Sequence, residues 1–327
     1  LGYVTVYGII ADIHSSCGIY NIMTSVIIPT RDAAEQIHGL LQALKSQTVP
    51  CEIIIVDSSS PDNTAGIARS LGAEVVVIKR EAFDHGGTRT LAARKAKGDI
   101  LICMTQDAMP SDEHAIENLL APFRDRTVAA AYGRQLPYPG ASPFGAHVRL
   151  FNYPEVSCVR SIGDKETYKI RTIFLSNSFA AYRKSALKDS GWFREGLIMG
   201  EDTCAAAQLL LAGYKIAYVA EAMVYHSHNY TLLEEFRRYF DIGVFHETEC
   251  WILEQFGQAE GEGRRYLLSE LRYVLKQRKY RLLPAFFARN CMKYAGYRLG
   301  KTYERIPRSV VKKISMHGDW WNSGKSR

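Results

Sequence analysis

The sequence predicts an α/β protein, with a doubly wound, mainly parallel sheet followed by a C-terminal helical region. Three observations carry this. Short continuous apolar runs alternate with stretches of helical periodicity from Ser25 to Asp107. The runs are too apolar to leave one face in water, as expected of strands covered on both sides. Beyond Tyr230 only helical periodicity remains.

Each element follows from its own stretch. "SVIIPT" (25–30) is the first strand, and "AAEQIHGLLQALKSQ" (33–47) places Ile37, Leu40, Leu41 and Leu44 on one helix face. "CEIIIVDSSS" (51–60) is a second strand that turns polar at Asp57. "PDNTAGIARSLG" (61–72) opens with helix-start signals and stops at Gly72. "AEVVVIKR" (73–80) is a third strand, "GGTRTLAARKAKG" (86–98) a third helix, and "DILICMTQD" (99–107) a fourth strand. After Arg134 the pattern loosens, and "QLPYPGASPFGAH" reads as loop. "SNSFAAYRKSALKDSGWF" is a strand with a helix from about Arg183. "GEDTCAAAQLLLAGYKIAYV" is a helix ending at Gly213 and then a strand. "AMVYHSHNY" reads as one more strand, with His226 and His228 on the same face. Helices are expected near 231–246, 247–257, 264–279 and 283–300.

Composition narrows the class. Hydrophobic residues make up 47% and charged residues 23%, ordinary for a globular chain of 327 residues. No run reaches the roughly 18 uncharged apolar residues of a membrane-spanning helix. The opening stretch has no basic region ahead of its apolar part, so it is not read as a signal peptide. Met23 is read as the natural start, which makes 1–23 an added N-terminal extension. The seven cysteines are scattered and form no CxxC pair, so they are expected to be small buried apolar residues in a reducing compartment. The net charge of +7 hides an asymmetry. From Arg264 onward 17 Lys and Arg face 3 Asp and Glu, a balance of +14, which leaves the rest of the chain at −7. A basic tail on an acidic body points to an anionic surface as the tail's partner. Carboxylates along the body argue against nucleic acid.

In a doubly wound sheet ligands sit beyond the C-terminal ends of the strands, so the polar residues that close the apolar runs are the candidates. Asp57 could accept a base N–H or a ribose hydroxyl, or simply cap the helix after it. "FDHGGTRT" (83–90) is a Gly-Gly turn into a helix. Gly86 and Gly87 would give positive φ and close approach. The bare N–H groups and Arg89 would hold an anion such as a diphosphate; a plain turn is the other reading. Asp107 could bind a divalent ion that bridges nucleotide phosphates. His226 and His228 could add imidazole ligands, which suit manganese, or be structural. Glu201 and Asp202 stand at a helix start, either as dipole-favoured caps or as a general base kept ionised by the helix.

Taken in order, "SVIIPTRD", "IIIVDSSSPDNT", "FDHGGTR", "TQDAMP", "GEDT" and "VYHSHNY" resemble the family 2 inverting glycosyltransferases of the GT-A fold, and within them bacterial rhamnosyltransferases. The resemblance covers about residues 24–300. It implies a nucleotide-sugar donor, with Pro29, Thr30 and Asp57 at the base, and Asp84, His85, Gly86, Gly87, Arg89 and Gln106 along the nucleotide sugar. It implies a divalent cation, Mg2+ or Mn2+, on Asp107 with His226 and His228. It makes Asp202 the base with Glu201 beside it. The donor implied is dTDP-L-rhamnose and the acceptor a glycan or lipid-linked glycan of a cell-surface polysaccharide. A UDP-sugar donor and, further off, a nucleotidyltransferase are the alternatives. Thr105 stands where the first Asp of the usual Asp-x-Asp would be, so the site has one carboxylate fewer. The expected organisation is 24–133 as nucleotide-sugar half, 134–230 as acceptor and catalytic half, and 231–327 as basic helical region. The expected location is cytoplasmic, peripheral on the inner face of the cytoplasmic membrane, with self-association left open.

Overall fold

The structure, a computed structural model, describes residues 22–258 and 260–322, so the expected extension lies almost wholly outside it. Nine strands occur among the described residues: β1 (Thr24–Thr30), β2 (Glu52–Asp57), β3 (Glu74–Val77), β4 (Ile100–Met104), β5 (Met109–Pro110), β6 (Val128–Leu136), β7 (Cys158–Arg160), β8 (Phe179–Arg183) and β9 (Lys215–Tyr225). They make one sheet in the order β3-β2-β1-β4-β8-β6-β9-β5, with β7 on β9. The first four are parallel. β8 enters antiparallel between β4 and β6, and β6 and β9 are parallel to each other.

The apolar runs behave as strands covered on both sides. Ile27, Ile54, Val56, Leu101 and Tyr182 pack into one core layer, and Val26, Ile28, Ile55, Ile102 and Ala181 into the other. Strict alternation within uniformly apolar segments is what two buried faces require. Because β8 runs backwards, the residues that lead into it, Ser176–Ser178, lie at the same sheet edge as the ends of β1, β2, β4, β6 and β9. That edge carries Pro29, Thr30 and Asp57 at the strand ends, and Asn177 there meets Glu201 and Asp202 at a helix start.

Three expectations are corrected here. The two strands expected on either side of Ala220 are one strand, β9, with an irregular register against Gly133 and Arg134. His226 and His228 therefore follow the strand rather than sit on it. The boundary drawn at 133–134 falls inside β6. Among the described cysteines Cys103 and Cys204 are buried, but Cys158, Cys250 and Cys291 are exposed.

The C-terminal region is helical as expected, over Leu232–Thr248, Cys250–Phe256, Glu260–Lys276 and Leu283–Gly300, with a further turn of helix at Arg308–Ile314. Thr231 opens the first with a capping box to Glu234. Leu232–Thr248 and Leu283–Gly300 cross with backbones nearly touching. A Cβ on Gly296 would overlap the carbonyl of Phe236, and one on Gly300 the carbonyl of Phe240. A buried polar knot fastens the region. Glu270 accepts from Tyr266 at 2.6 Å and Asn290 at 2.7 Å and faces Lys293 at 3.5 Å, while Arg289 pairs with Glu235 at 2.8 Å. Ser269 bonds His147 Nε2 at 3.0 Å, which ties the knot to the helix Pro143–Asn152. No helix among the described residues is long and apolar enough to cross a membrane.

Candidate active site

The base-side residues hold one another. Thr30 Oγ1 donates to Asp57 Oδ1 at 3.2 Å, and Ser60 donates to Asp57 through its hydroxyl at 2.6 Å and its N–H at 2.9 Å. Asp57 does not cap the next helix; Asp62 accepts the Thr64 N–H at 3.1 Å there. Pro29 and Thr30 close β1 opposite Val56 and Asp57. Gln106 locks the loops after β1 and β4 together, accepting from Arg31 N at 2.8 Å and donating to Arg31 O at 3.0 Å.

The Gly-Gly turn is built differently from its expectation. Asp84 is a helix N-cap: one oxygen accepts the Gly87 N–H at 2.7 Å and the other the Gly196 N–H at 2.9 Å. Gly87's N–H is thus already taken by a carboxylate. Neither Gly86 nor Gly87 has positive φ. Gly86 is needed for packing, since a Cβ would overlap the carbonyl of Arg194. Arg89 is 4% exposed and pairs with Glu201 at 3.0 Å. His85 lies edge-on to His317, and burial pushes its imidazole down to about 4. A cleft of about 600 Å3 opens beside this helix between Leu91, Arg94 and Glu195, and its lining includes neither Asp107 nor the histidines.

Asp107, His226 and His228 converge. Asp107 Oδ2 lies 3.4 Å from His226 Nε2 and 3.7 Å from His228 Nε2, and the three donor atoms all lie within 4.8 Å of one another. The tautomer of His226 follows from its other side. Gln135 Oε1 accepts from Arg149, which can only donate, so Oε1 is the acceptor end of that amide. His226 Nδ1, 2.8 Å from the same oxygen, must then be the N–H. With Nδ1 donating outward, Nε2 faces the Asp107 carboxylate, which a protonated Nε2 serves as a donor and which a neutral Nε2 could join in holding a cation. A histidine fixed by an outer hydrogen bond is how metal-ligating imidazoles are usually oriented. Burial alone would raise the Asp107 carboxyl, but His226 and His228 hold it well below the usual carboxylate range. Burial, with the His226 charge, pushes His228 down to about 4, so its imidazole is neutral at physiological pH and free to donate a lone pair. One carboxylate and two imidazoles fit Mn2+ better than Mg2+, which prefers oxygen ligands.

Asp202 is the second residue of the helix Glu201–Leu211, which follows Gly200, whose φ of 84° only glycine adopts freely. Asp202 accepts the N–H of Asn177 at 3.1 Å and of Thr203 at 2.7 Å. Burial and the neighbouring Glu201 charge push its carboxyl up to about 6. Helix position was expected to keep it fully ionised; burial opposes that. Glu201 is buried between Arg89 and the Asn177 side chain at 3.0 Å. Arg89 holds it ionised against the cost of burial.

Sequence reasoning missed the residues that connect these groups. Gln135 bridges His226 to Ser176 (3.2 Å), and the adjacent Asn177 reaches both Glu201 and Asp202. Tyr182 O–H donates to Asn177 Oδ1 at 2.7 Å. One polar network therefore runs from Asp107 to Arg89. Arg149 and Arg238 were also missed. Arg149 meets Gln135, and Arg238 lies 5.8 Å over Tyr230, whose ring stacks on His228 at 5.1 Å. Only the Asn-Ser-Phe segment gave a sequence signal.

Comparison with known proteins gives the family and the fold. A family model described as glycosyl transferase family 2 matches residues 25–191. The chain is 44% identical to the O-antigen chain rhamnosyltransferase RfbN of Salmonella typhimurium, over 91% of this chain and 96% of that one. It is 42% identical, with the same coverage, to the O-antigen chain rhamnosyltransferase WbaN of Salmonella anatum. Among solved structures it is similar in fold to the mannosyltransferase PcManGT of Pyrobaculum calidifontis, crystallised with GDP-Man and Mn2+, at a TM-score of 0.58 and 17% identity over 94% of this chain and 89% of that one. Staphylococcus aureus TarS with UDP-GlcNAc gives 0.53 at 17% identity, over 87% and 92%. The sheet is thus the expected GT-A type, and the chain belongs to glycosyl transferase family 2.

Proposed function

We propose that this glycosyltransferase moves L-rhamnose from dTDP-L-rhamnose, with inversion, to a glycan or lipid-linked glycan in O-antigen synthesis. The observation that carries the reading is the near full-length similarity to two O-antigen rhamnosyltransferases. The site chemistry supports it. Asp57 and Thr30 at the ends of β2 and β1 would take the thymine base. Asp107, His226 and His228 would hold Mn2+, which when bound would offset diphosphate charge.

Asp202 then takes the proton from an acceptor hydroxyl. That oxygen bonds to the anomeric carbon from the face opposite the nucleotide. The bond from that carbon to the diphosphate oxygen breaks, and a β-linked donor yields an α-rhamnoside. Negative charge grows on the leaving diphosphate. Arg89 was expected to meet it but is committed to Glu201. Arg149 and Arg238 make no ion pair among the described residues, and Arg149 Nε is buried without a partner there, so these two are the cations for that role. Arg89 instead keeps Glu201 ionised and in place beside the base.

Donor hydrolysis measured in parallel with dTDP-L-rhamnose, UDP-sugars and GDP-sugars tests the proposal. Preference for dTDP-L-rhamnose is expected. Preference for a UDP-sugar would keep the enzyme class and replace the donor.

A further inference from the structure

The helix Leu283–Gly300 has one face for the protein and one that nothing among the described residues covers. Phe286, Lys293, Gly296 and Gly300 are buried. The opposite stripe, with the turn before it, is Tyr280, Pro284, Phe287, Cys291, Tyr294 and Arg298, all exposed. Its spacing of four, three, four, three and four residues keeps it on one side of a helix. Tyr280 is 58%, Phe287 61% and Tyr294 68% exposed. Large aromatics left this open at helical spacing form a face rather than scattered exposure.

The charge around the stripe identifies its occupant. From Leu271 to Tyr303 the chain has no Asp or Glu. Two of its cations are used internally, Arg289 on Glu235 and Lys293 on Glu270. Arg272, Lys276, Arg278, Lys279, Arg281 and Arg298 remain exposed. A second copy of this helix would set these cations against their own kind with no acid on the stripe to pair them. An anionic bilayer supplies the opposite charge and a head-group layer in which Tyr and Phe rings are stable. We infer that Tyr280, Phe287 and Tyr294, with the surrounding cations, form a docking face for an anionic lipid surface. The inference deepens the proposed function, because a lipid-linked acceptor lies in such a surface, but its test does not depend on activity.

Removing the whole tail is a poor test, since Glu270 and Lys293 are part of the buried knot. Point changes on the open face are safer. The full chain is floated with vesicles of phosphatidylglycerol and phosphatidylcholine, and with phosphatidylcholine alone, at low and high salt. Flotation is expected only with the anionic vesicles and is expected to fall with salt. F287S with Y294S should lower vesicle binding roughly tenfold, and R278Q with K279Q and R281Q should do at least as much. Melting temperature and donor hydrolysis should be unchanged in both. Equal recovery in the soluble fraction with both vesicle types at low salt would overturn the inference. So would a dimer in sedimentation that F287S with Y294S dissociates. Flotation without any donor hydrolysis would leave the docking face standing and sink the enzymatic reading instead.

Discussion

Asp202 is held in tension between two demands. A base must lose its proton at working pH, yet burial and the Glu201 charge push this carboxyl up to about 6. Two measurements follow. The kcat/KM should rise with pH through about 6 and then level off, and Asp202→Asn should cost roughly 10²–10⁴-fold in kcat. The stability effect has the opposite sign. The folded carboxyl binds its proton more tightly than the unfolded one, near 3.9, so ionisation costs the native state. Asp202→Asn should therefore melt higher than the parent above pH 6 and lose that advantage below about pH 4, which thermal scans across pH would show. Glu201→Gln behaves differently, because it strands Arg89 without a counter-charge. A loss of about 3–5 kcal/mol in urea unfolding is expected. At the other end of the network, Asp107→Ala should abolish Mn2+ binding in calorimetry. Arg149→Met should weaken dTDP binding about tenfold while leaving Mn2+ affinity intact. If both variants lose metal equally, Arg149 positions His226 through Gln135 instead. The end residues of this network were legible because their types are chemically loud at strand and helix termini. Gln135, Asn177 and Arg149 were not. A glutamine in β6 or an arginine in a helix looks like any other until the fold shows what stands opposite.

At the level of elements, the parallel strands were readable because full burial forces continuous apolar runs, and Gly72 and Gly213 marked helix ends. The stretch from Lys215 to Tyr225 reads as two strands because the exposed Glu221 interrupts its apolar run, and it lies where the register against β6 shifts. The antiparallel insertion of β8 leaves no mark on its own sequence, since strand direction is set by its neighbours. Glycine was read by its commonest use and so misread at Gly86, where the need is closeness rather than an unusual φ. Closeness governs the C-terminal pair too. Gly296→Ala would press a methyl into the Phe236 carbonyl and push the helix Leu283–Gly300 outward. A cost of about 1–3 kcal/mol is expected, read as a lower urea midpoint at unchanged slope. Gly263→Ala, where nothing stands within 4 Å, is the matched control and should be neutral or mildly stabilising.

On the scale of the whole molecule, charge separation was visible in the sequence, whereas the division of labour within the basic region was not. Of its aromatics, Phe286 packs inward and Tyr266 joins the buried knot, while Tyr280, Phe287 and Tyr294 remain outside. Periodicity alone could not assign these sides, because both faces of the helix are aromatic and cationic. Cys291 sits between Phe287 and Tyr294 on the outward face and is exposed and unbridged. That placement has a practical corollary in air. A solvent-open thiol is a site for oxidation, and two molecules concentrated on one membrane or one column can be joined through it. A covalent dimer that disappears with reductant would then record the history of the sample, and Cys291→Ser, which removes only that chemistry, would yield a preparation whose oligomeric state can be taken at face value.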